Sequence, residues 1–360
     1  MKFLYDETAL KVEESLEGQV IQHGLSRVMS EGIAMLKWES ILARFDRARI
    51  LVIGDLILDQ YIWGEVHRIS PEAPIPVVEV LRESFSLGGA ANVAHNARTL
   101  GAHVEICGLA GVDPYGQKLV EMMEEKRIGT RGVIRDPSRP TTLKTRIVAH
   151  RQQVVRVDRE DTRCLDDSLF RMMTERIREI LSEVDAVVVE DYGKGVVHEA
   201  VLRELIPMAR DAGKFVTVDP KKDHFDFYRG VTAITPNRQE AEWASGVRIS
   251  DSQGLFEAGS WLLERLQCSA VLITLGERGM CLFEPGQKPF EIRAHAREVY
   301  DVSGAGDTVI AVFTTALVAG ANPRQAAALS NLAGGLVVEK LGTATLTKEE
   351  MKARLTELRV

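Results

Sequence analysis

Apolar residues recur along this chain in short unbroken runs, each closing on glycine or a polar residue. The runs are "RILVIGDLILD" (49–59), "HVEICGLAG" (103–111), "AVVVEDYGKG" (186–195), "FVTVDPKK" (215–222), "VTAITPN" (231–237) and "AVLITLG" (270–276). Runs of this length bounded by turn formers read as strands buried on both faces. Helical segments fall between most of them, which predicts an α/β fold: a doubly wound, mostly parallel sheet flanked by helices. Ligands in such sheets collect beyond the carboxyl ends of the strands.

Two segments break the rhythm. Residues 61–86 ("YIWGEVHRISPEAPIPVVEVLRESFS") and 141–161 ("TTLKTRIVAHRQQVVRVDRED") alternate and are rich in β-branched residues. They predict a small accessory β-sheet, which either merely covers the main one or acts as a lid carrying Arg68, Lys144, Arg146 and Arg151. Ahead of them, Leu10, Leu16, Val20, Ile21, Leu25, Val28, Met29, Ile33, Leu36 and Ile41 recur at helical spacing. Residues 1–46 are therefore expected to form an N-terminal helical extension, and 47–360 the main domain.

Composition narrows the function. An apolar content of 45% in 360 residues is ample for a core, and a net charge of −7 argues against a nucleic-acid binder while leaving room for a small anionic ligand. The four cysteines (107, 164, 268, 281) show no CxxC or metal-ligand spacing, which fits reduced structural thiols in a cytosol. "MKFLY" runs at once into Asp6 and Glu7, and no run of about 18 apolar residues occurs. No membrane segment is expected, and a cytoplasmic location is.

The chemistry gathers at "DVSGAGDTV" (301–309). Glu298-Val299-Tyr300 reads as the end of a strand, and Thr308 to Ala319 as an apolar helix closing at Gly320 with Asn322-Pro323 as a stop. No GxxxxGK[ST] string occurs, and Val309 stands where a GxGxxG fingerprint needs its third glycine. What remains is a cluster of amides from Gly304, Ala305 and Gly306 at a helix N-terminus, suited to an anion. Asp307 within it reads either as a cap complementing the helix dipole or as a general base facing a transferring phosphoryl group.

Three strings in order resemble the PfkB, or ribokinase-like, family of carbohydrate kinases over about residues 47–350. "LGGAANVAHNARTLGA" (87–102) is similar to its glycine-rich first signature, "TPNRQE" (235–240) to its N-x-x-E element, and "DVSGAGDTV" to its second signature. Val312 departs from the Ala or Gly usual at that place. Further strings, "GDLILDQYIWG", "RISPEAPIPVVEV", "RQQVVRVD", "DYGKG", "DPKK" and "KLGTAT", resemble the D-glycero-D-manno-heptose 7-phosphate kinases most closely. The resemblance implies ATP-dependent phosphorylation of the anomeric hydroxyl of a heptose 7-phosphate, a step toward nucleotide-activated heptose for lipopolysaccharide. No HxGH motif of a nucleotidyltransferase is present, so only the kinase step is implied. A kinase for another sugar, or a non-catalytic sugar-binding regulator, are the alternatives.

The same resemblance distributes roles. Asp307 would be the catalytic base, with the Gly304, Ala305 and Gly306 amides on the phosphoryl group. Asp59, with Asp55 beside it, would take sugar hydroxyls as an acceptor-only carboxylate, Gly88 and Gly89 would let backbone approach the sugar, and Asn92 would offer a donor and an acceptor. Strand-end acids and a plain tight turn are the structural alternatives. Lys144 and Arg151 are expected on the sugar's phosphate. Asn237 and Glu240 would hold Mg²⁺, through water, and phosphate; Thr274, Gly276 and Gly279 in "TLGERGM" would lie near the nucleotide, unless they form only a hairpin turn. Asn331 is placed near adenine. Asp191 and Lys221, with Lys194 and Asp219, either line the crevice or pair as ions at the sheet edge. Ribokinase-like relatives often pair through such lids, so a homodimer is expected, with Ile62, Val77 and Val78 near the contact.

Overall fold

The computed structural model describes residues 38–150, 152–294, 296, 299–340 and 342–358. Arg151 and nearly all of the expected N-terminal extension lie outside the described residues. The described part begins with α1 (Trp38–Leu42) and a 3₁₀ turn at Phe45–Arg47. Trp38, Ile41, Leu42 and Phe45 are buried there against Leu100 and Phe313 of the main domain.

Among the described residues the main sheet has nine strands in the order β13-β12-β11-β10-β9-β8-β1-β4-β5. Its centre is β1 (Arg49–Gly54), flanked by β4 (His103–Gly111) and β8 (Ala186–Glu190), with β9 (Phe215–Asp219), β10 (Ala233–Ile234) and β11 (Ala270–Thr274) beyond. These pair in parallel, as does β5 (Gly129–Asp136) on the other edge; β12 (Met280–Phe283) pairs antiparallel with both β11 and β13 (Phe290–Ile292), so among the described strands it alone runs against the sheet.

Side-chain alternation explains why the strands read as continuous apolar runs. In β1, Leu51 and Ile53 enter one core while Ile50 and Val52 enter another; β8 does the same with Val187 and Val189 against Val188. The first core is closed by the helices at Asp167–Leu181, Glu199–Asp211 and Ser252–Leu266, through residues such as Met173, Leu202 and Leu262. The opposite face is closed by helices at Ala90–Thr99, Pro114–Glu125, Ala305–Val318 and Pro323–Val337. The helix Ala305–Val318 is buried on every side from Asp307 to Leu317, which accounts for its lack of a polar face.

The expected accessory sheet is present, in the order β3-β2-β6-β7, built from β2 (Leu56–Ile69), β3 (Pro76–Gly89), β6 (Thr142–Ala149) and β7 (Gln152–Arg159). Three local expectations change. "RILVIGDLILD" is two strands, because Asp55 breaks the run and sends β2 into the accessory sheet; Gly54 sits so close to β8 that a Cβ would collide with the Glu190 carbonyl. No strand ends at Tyr300 among the described residues; the last strand before the loop stops at Ile292, and the Tyr300 amide donates instead to the Val338 carbonyl at 2.8 Å. Asn322-Pro323 does not merely stop a helix. Asn322 caps the next one, accepting from the Gln325 amide at 2.9 Å, with Pro323 in the first turn.

Candidate functional site

The carboxyl ends of β1, β8 and β9 deliver Asp55, Glu190 with Asp191, and Asp219 to one end of the sheet, and the N-terminus of the helix Ala305–Val318 points Asp307 into the same place. Gly304 opens that helix at φ 77, a left-handed conformation costly for residues with a Cβ. Its hypothetical Cβ would also crowd the Asn92 amide. Asp301 folds the approach, accepting from the Ser303 amide at 2.9 Å and the Gly342 amide at 3.0 Å.

Asp307 is buried and held from both sides. Asn92 Nδ2 donates to Oδ2 at 2.6 Å and the Tyr192 hydroxyl donates to Oδ1 at 3.1 Å. Burial raises its carboxyl to about 6 against these two bonds, with the nearby Asp59 charge adding to the rise. The Asp307 charge, with burial, in turn keeps the Tyr192 phenol protonated well above its ordinary range. The Asp307 carboxyl, at about 6, is ionised near neutral pH yet basic enough to accept a hydroxyl proton.

A second feature is the acid cluster. Glu190, Asp219 and Asp307 each bring a carboxylate oxygen within 4.8 Å of the others. Burial, then the charges of neighbouring acids, Asp219 and Asp307 on Glu190 and Glu240 and Asp307 on Asp219, pushes both well above the usual carboxylate range, and Glu190 Oε2 is buried without a hydrogen-bond partner. An orphaned buried oxygen beside two more carboxylates fits a hard divalent cation.

The structure sorts the expected residues into those that face the crevice and those spent on building it. Asp219 and Asp307 belong to the acid cluster, the exposed Gly306 lies beside Asp219, Lys144 lies over the Tyr192 ring, and Asp59, buried and paired with Arg146, has its charge within reach of Asp307. Lys221 is half-buried with its stem against Gly193, and its charge acts on Glu240. Several expectations need correction. Asp55 does not offer its carboxylate to a sugar: Oδ2 accepts from the Tyr192 and Lys194 amides, both at 2.9 Å, and Oδ1 from Val196 at 3.1 Å. Asp191 is likewise engaged, by His224 Nδ1 at 2.6 Å, the Tyr228 hydroxyl at 2.7 Å and the Gly193 amide at 2.8 Å. Asn92 is fully buried on Asp307 and does not present itself to a ligand.

The phosphate and nucleotide residues divide in the same way. The Ala305 amide donates to the Val302 carbonyl at 3.2 Å, so it is not free for an anion. Asn237 and Glu240 form a capping box for the helix Arg238–Ser245, which occupies Asn237 Oδ1 and one Glu240 oxygen. Glu240 nonetheless lies near enough to Asp219 to push that acid up. Asn331 is buried and donates to the Arg293 carbonyl at 2.7 Å, bracing the chain there. Thr274 bridges Asn237, while Gly276 and Gly279 take φ 62 and 91 in the hairpin between β11 and β12. Gly88 leaves room for the Asp59 carboxylate, and Gly89 takes φ 54 where β3 passes into the next helix.

Glu190, Tyr192 and Arg146 stand out in the structure more than in the sequence. An acid ending an otherwise apolar run, as in "VVVED", was the available signal for Glu190. Nothing local marks a tyrosine as the partner of an aspartate 115 positions away.

A model described as "pfkB family carbohydrate kinase" matches residues 47–350. A bifunctional protein HldE of Desulfatibacillum aliphaticivorans is 45% identical over 313 residues, covering 87% of this chain and 64% of its own length. That of Helicobacter hepaticus is 43% identical over 303 residues, covering 84% and 63%. The chain therefore spans a little under two thirds of these curated relatives. Among solved structures, phosphofructokinase-2 of Escherichia coli in complex with substrates and products superposes with a TM-score of 0.72 at 17% identity, covering 87% of this chain and all of that one. Ribokinase of Arabidopsis thaliana complexed with ribose and ATP gives 0.68 at 18% identity, covering 86% and 98%. At such identities the likeness establishes the ribokinase-like fold.

Proposed function

Because the chain belongs to the pfkB family of carbohydrate kinases, we propose that it transfers the γ-phosphoryl group of ATP to the anomeric hydroxyl of a phosphorylated sugar, D-glycero-D-manno-heptose 7-phosphate, forming the 1,7-bisphosphate. The observation that carries the chemistry is Asp307: a buried carboxyl at a helix N-terminus, raised to about 6 and oriented by Asn92 and Tyr192. In the reaction, the anomeric hydroxyl gives its proton to Asp307 as its oxygen bonds to the γ-phosphorus. The bond from that phosphorus to the bridging oxygen breaks, and ADP leaves with the electron pair. The first-turn amide of Gly306 and the helix dipole favour the charge on the phosphoryl oxygens.

Glu190, Asp219 and Glu240 are the residues that fit Mg²⁺, taken mostly through water as that ion prefers. Bound there, the ion would neutralise charge on the ATP phosphates. The hairpin carrying Thr274, Gly276 and Gly279 would border the nucleotide, with Lys221 facing its phosphates.

The preference for a phosphorylated sugar rests on Lys144. It is half-buried, no carboxylate among the described residues pairs with it, and its ammonium lies 5.2 Å from the centre of the Tyr192 ring. Burial lowers its pKa, so it gains from an anionic partner. The HldE relatives at 41–45% identity support the heptose assignment. The accessory sheet would act as the lid and as a homodimer contact in a cytoplasmic enzyme. Among the described residues no helix is long and apolar enough to cross a membrane. ADP release measured over a panel of sugars and sugar phosphates tests the reading: it expects heptose 7-phosphate to lead, and a neutral sugar in that place would replace the substrate assignment.

A further inference from the structure

Arg146 and Asp59 meet at the floor of the accessory sheet. The Arg146 guanidinium donates through Nη1 to Asp59 Oδ1, and the two side chains are only 17% and 5% exposed. In the parallel pairing of β2 with β6, Asp59 stands beside Lys144 and Tyr61 beside Arg146. Residues two apart on a strand share a face, so one face carries all four side chains. It is the face toward the reaction centre: Lys144 lies over the Tyr192 ring and the Asp59 charge reaches Asp307. Arg146 also lies 5.3 Å from the centre of the Tyr61 ring, which fixes its plane.

Asp59 is the carboxylate the sugar needs, yet here Arg146 already occupies it. We propose that this ion pair is a specificity latch: Arg146 holds Asp59 until the phosphate of a phosphorylated sugar draws the guanidinium away, and only then can Asp59 accept sugar hydroxyls. The inference rests on the kinase reading given above and adds the means by which phosphorylated and neutral sugars are told apart.

The physical case is an exchange of partners. A phosphate near neutral pH carries more negative charge than a carboxylate and offers three acceptor oxygens, so it competes well for a guanidinium with Lys144 close by. The phosphorylated sugar thus supplies the replacement partner that a half-buried Arg146 requires, and in the same event frees Asp59. A neutral sugar must break the pair with no anion to offer Arg146, which leaves a partly desolvated cation with only the longer-range charges of Asp158 and Asp301. Discrimination then comes from a penalty on the wrong ligand as much as from contacts with the right one. A lysine would not serve equally, since it lacks the planar fork that suits both a carboxylate and a phosphate.

The test compares wild type, Arg146→Ala and Arg146→Lys on heptose 7-phosphate and on the same heptose without its phosphate. It uses steady-state kinetics and, independently of turnover, calorimetric binding, with thermal midpoints reporting the fold. In Arg146→Ala, binding of the phosphorylated sugar should weaken by about 10- to 100-fold, the scale of a lost charge-assisted pair. Binding of the neutral sugar should hold or tighten, because Asp59 is released. Arg146→Lys should recover part of the first effect only. Equal losses for both sugars, or a larger loss for the neutral one, would make the pair a structural strut and overturn the latch. Failure of wild type to turn over any sugar phosphate would instead overturn the kinase reading, and the calorimetric comparison still decides whether the pair discriminates.

Discussion

The Tyr192 hydroxyl donates to Asp307 Oδ1 at 3.1 Å from a loop that a second aspartate, Asp55, holds in place. The bond favours the charged form of Asp307 and fixes one oxygen, so it is burial, with the Asp59 charge, that raises the carboxyl to about 6. Tyr192→Phe removes the donor and little else. It should lower kcat by about 10-fold and move the acidic limb of the kcat/KM profile to higher pH. A limb that stays where it is in wild type would show that Tyr192 does not act on Asp307.

Asp55 and Asp59 are four residues apart and of the same chemistry, yet the structure gives them opposite work. Three amides converge on Asp55, so Asp55→Ala leaves buried donors unpaired and should cost about 2–4 kcal/mol in stability, read from denaturant unfolding. Asp59→Ala strips Arg146 of its buried partner and so also costs stability, but it should raise KM for the sugar far more than for ATP, which Asp55→Ala should not. The reverse pattern would exchange the two assignments.

Glu190 is buried with one carboxyl oxygen unpartnered, and its strongly raised pKa bears on stability. Its folded value lies well above its unfolded one, so the folded chain binds the extra proton. That contribution is complete below the unfolded value and is lost as pH rises through the folded one. Glu190→Gln removes the loss, so its thermal midpoint should gain on wild type as pH is raised and match it in acid. If Mg²⁺ binds this cluster, millimolar Mg²⁺ should raise the wild-type midpoint at pH 8 and raise that of Glu190→Gln less. Identical Mg²⁺ responses would remove Glu190 from the metal site.

The accessory sheet exposes Val80, Leu81, Val154, Val155 and Val157, and β3 and β7 are its edges. An apolar face with open edges calls for cover, and a second copy of the sheet offers it. Light scattering at micromolar concentration should give about twice 39.9 kDa, and Val78→Glu with Leu81→Glu should halve it. A monomeric, active wild type would contradict the lid dimer.

Much of this was legible in the sequence for a simple reason: a strand covered on both faces must be apolar at every position, so the runs at 186–190 and 270–274 announce both strand and sheet type. The glycines around 304 announced a backbone approach for the same kind of reason. What the sequence hides is the direction of side chains. Asp55, Asn92 and Asp191 have the residue types of ligand contacts, but each is consumed by partners no local pattern names: the Tyr192 amide 137 positions from Asp55, Asp307 215 from Asn92, and His224 and Tyr228 33 and 37 from Asp191. The pairing of Arg146 with Asp59 depends on the register of β2 against β6, which no local pattern encodes.

The most direct measurement is ADP release by wild type and Asp307→Asn on heptose 7-phosphate, alongside nucleotide binding by each. Wild type should turn the sugar phosphate over. Asp307→Asn should bind nucleotide as wild type does while turnover falls by about 10²- to 10⁴-fold, the weight of a positioned general base. Turnover by Asp307→Asn close to that of wild type would contradict the mechanism.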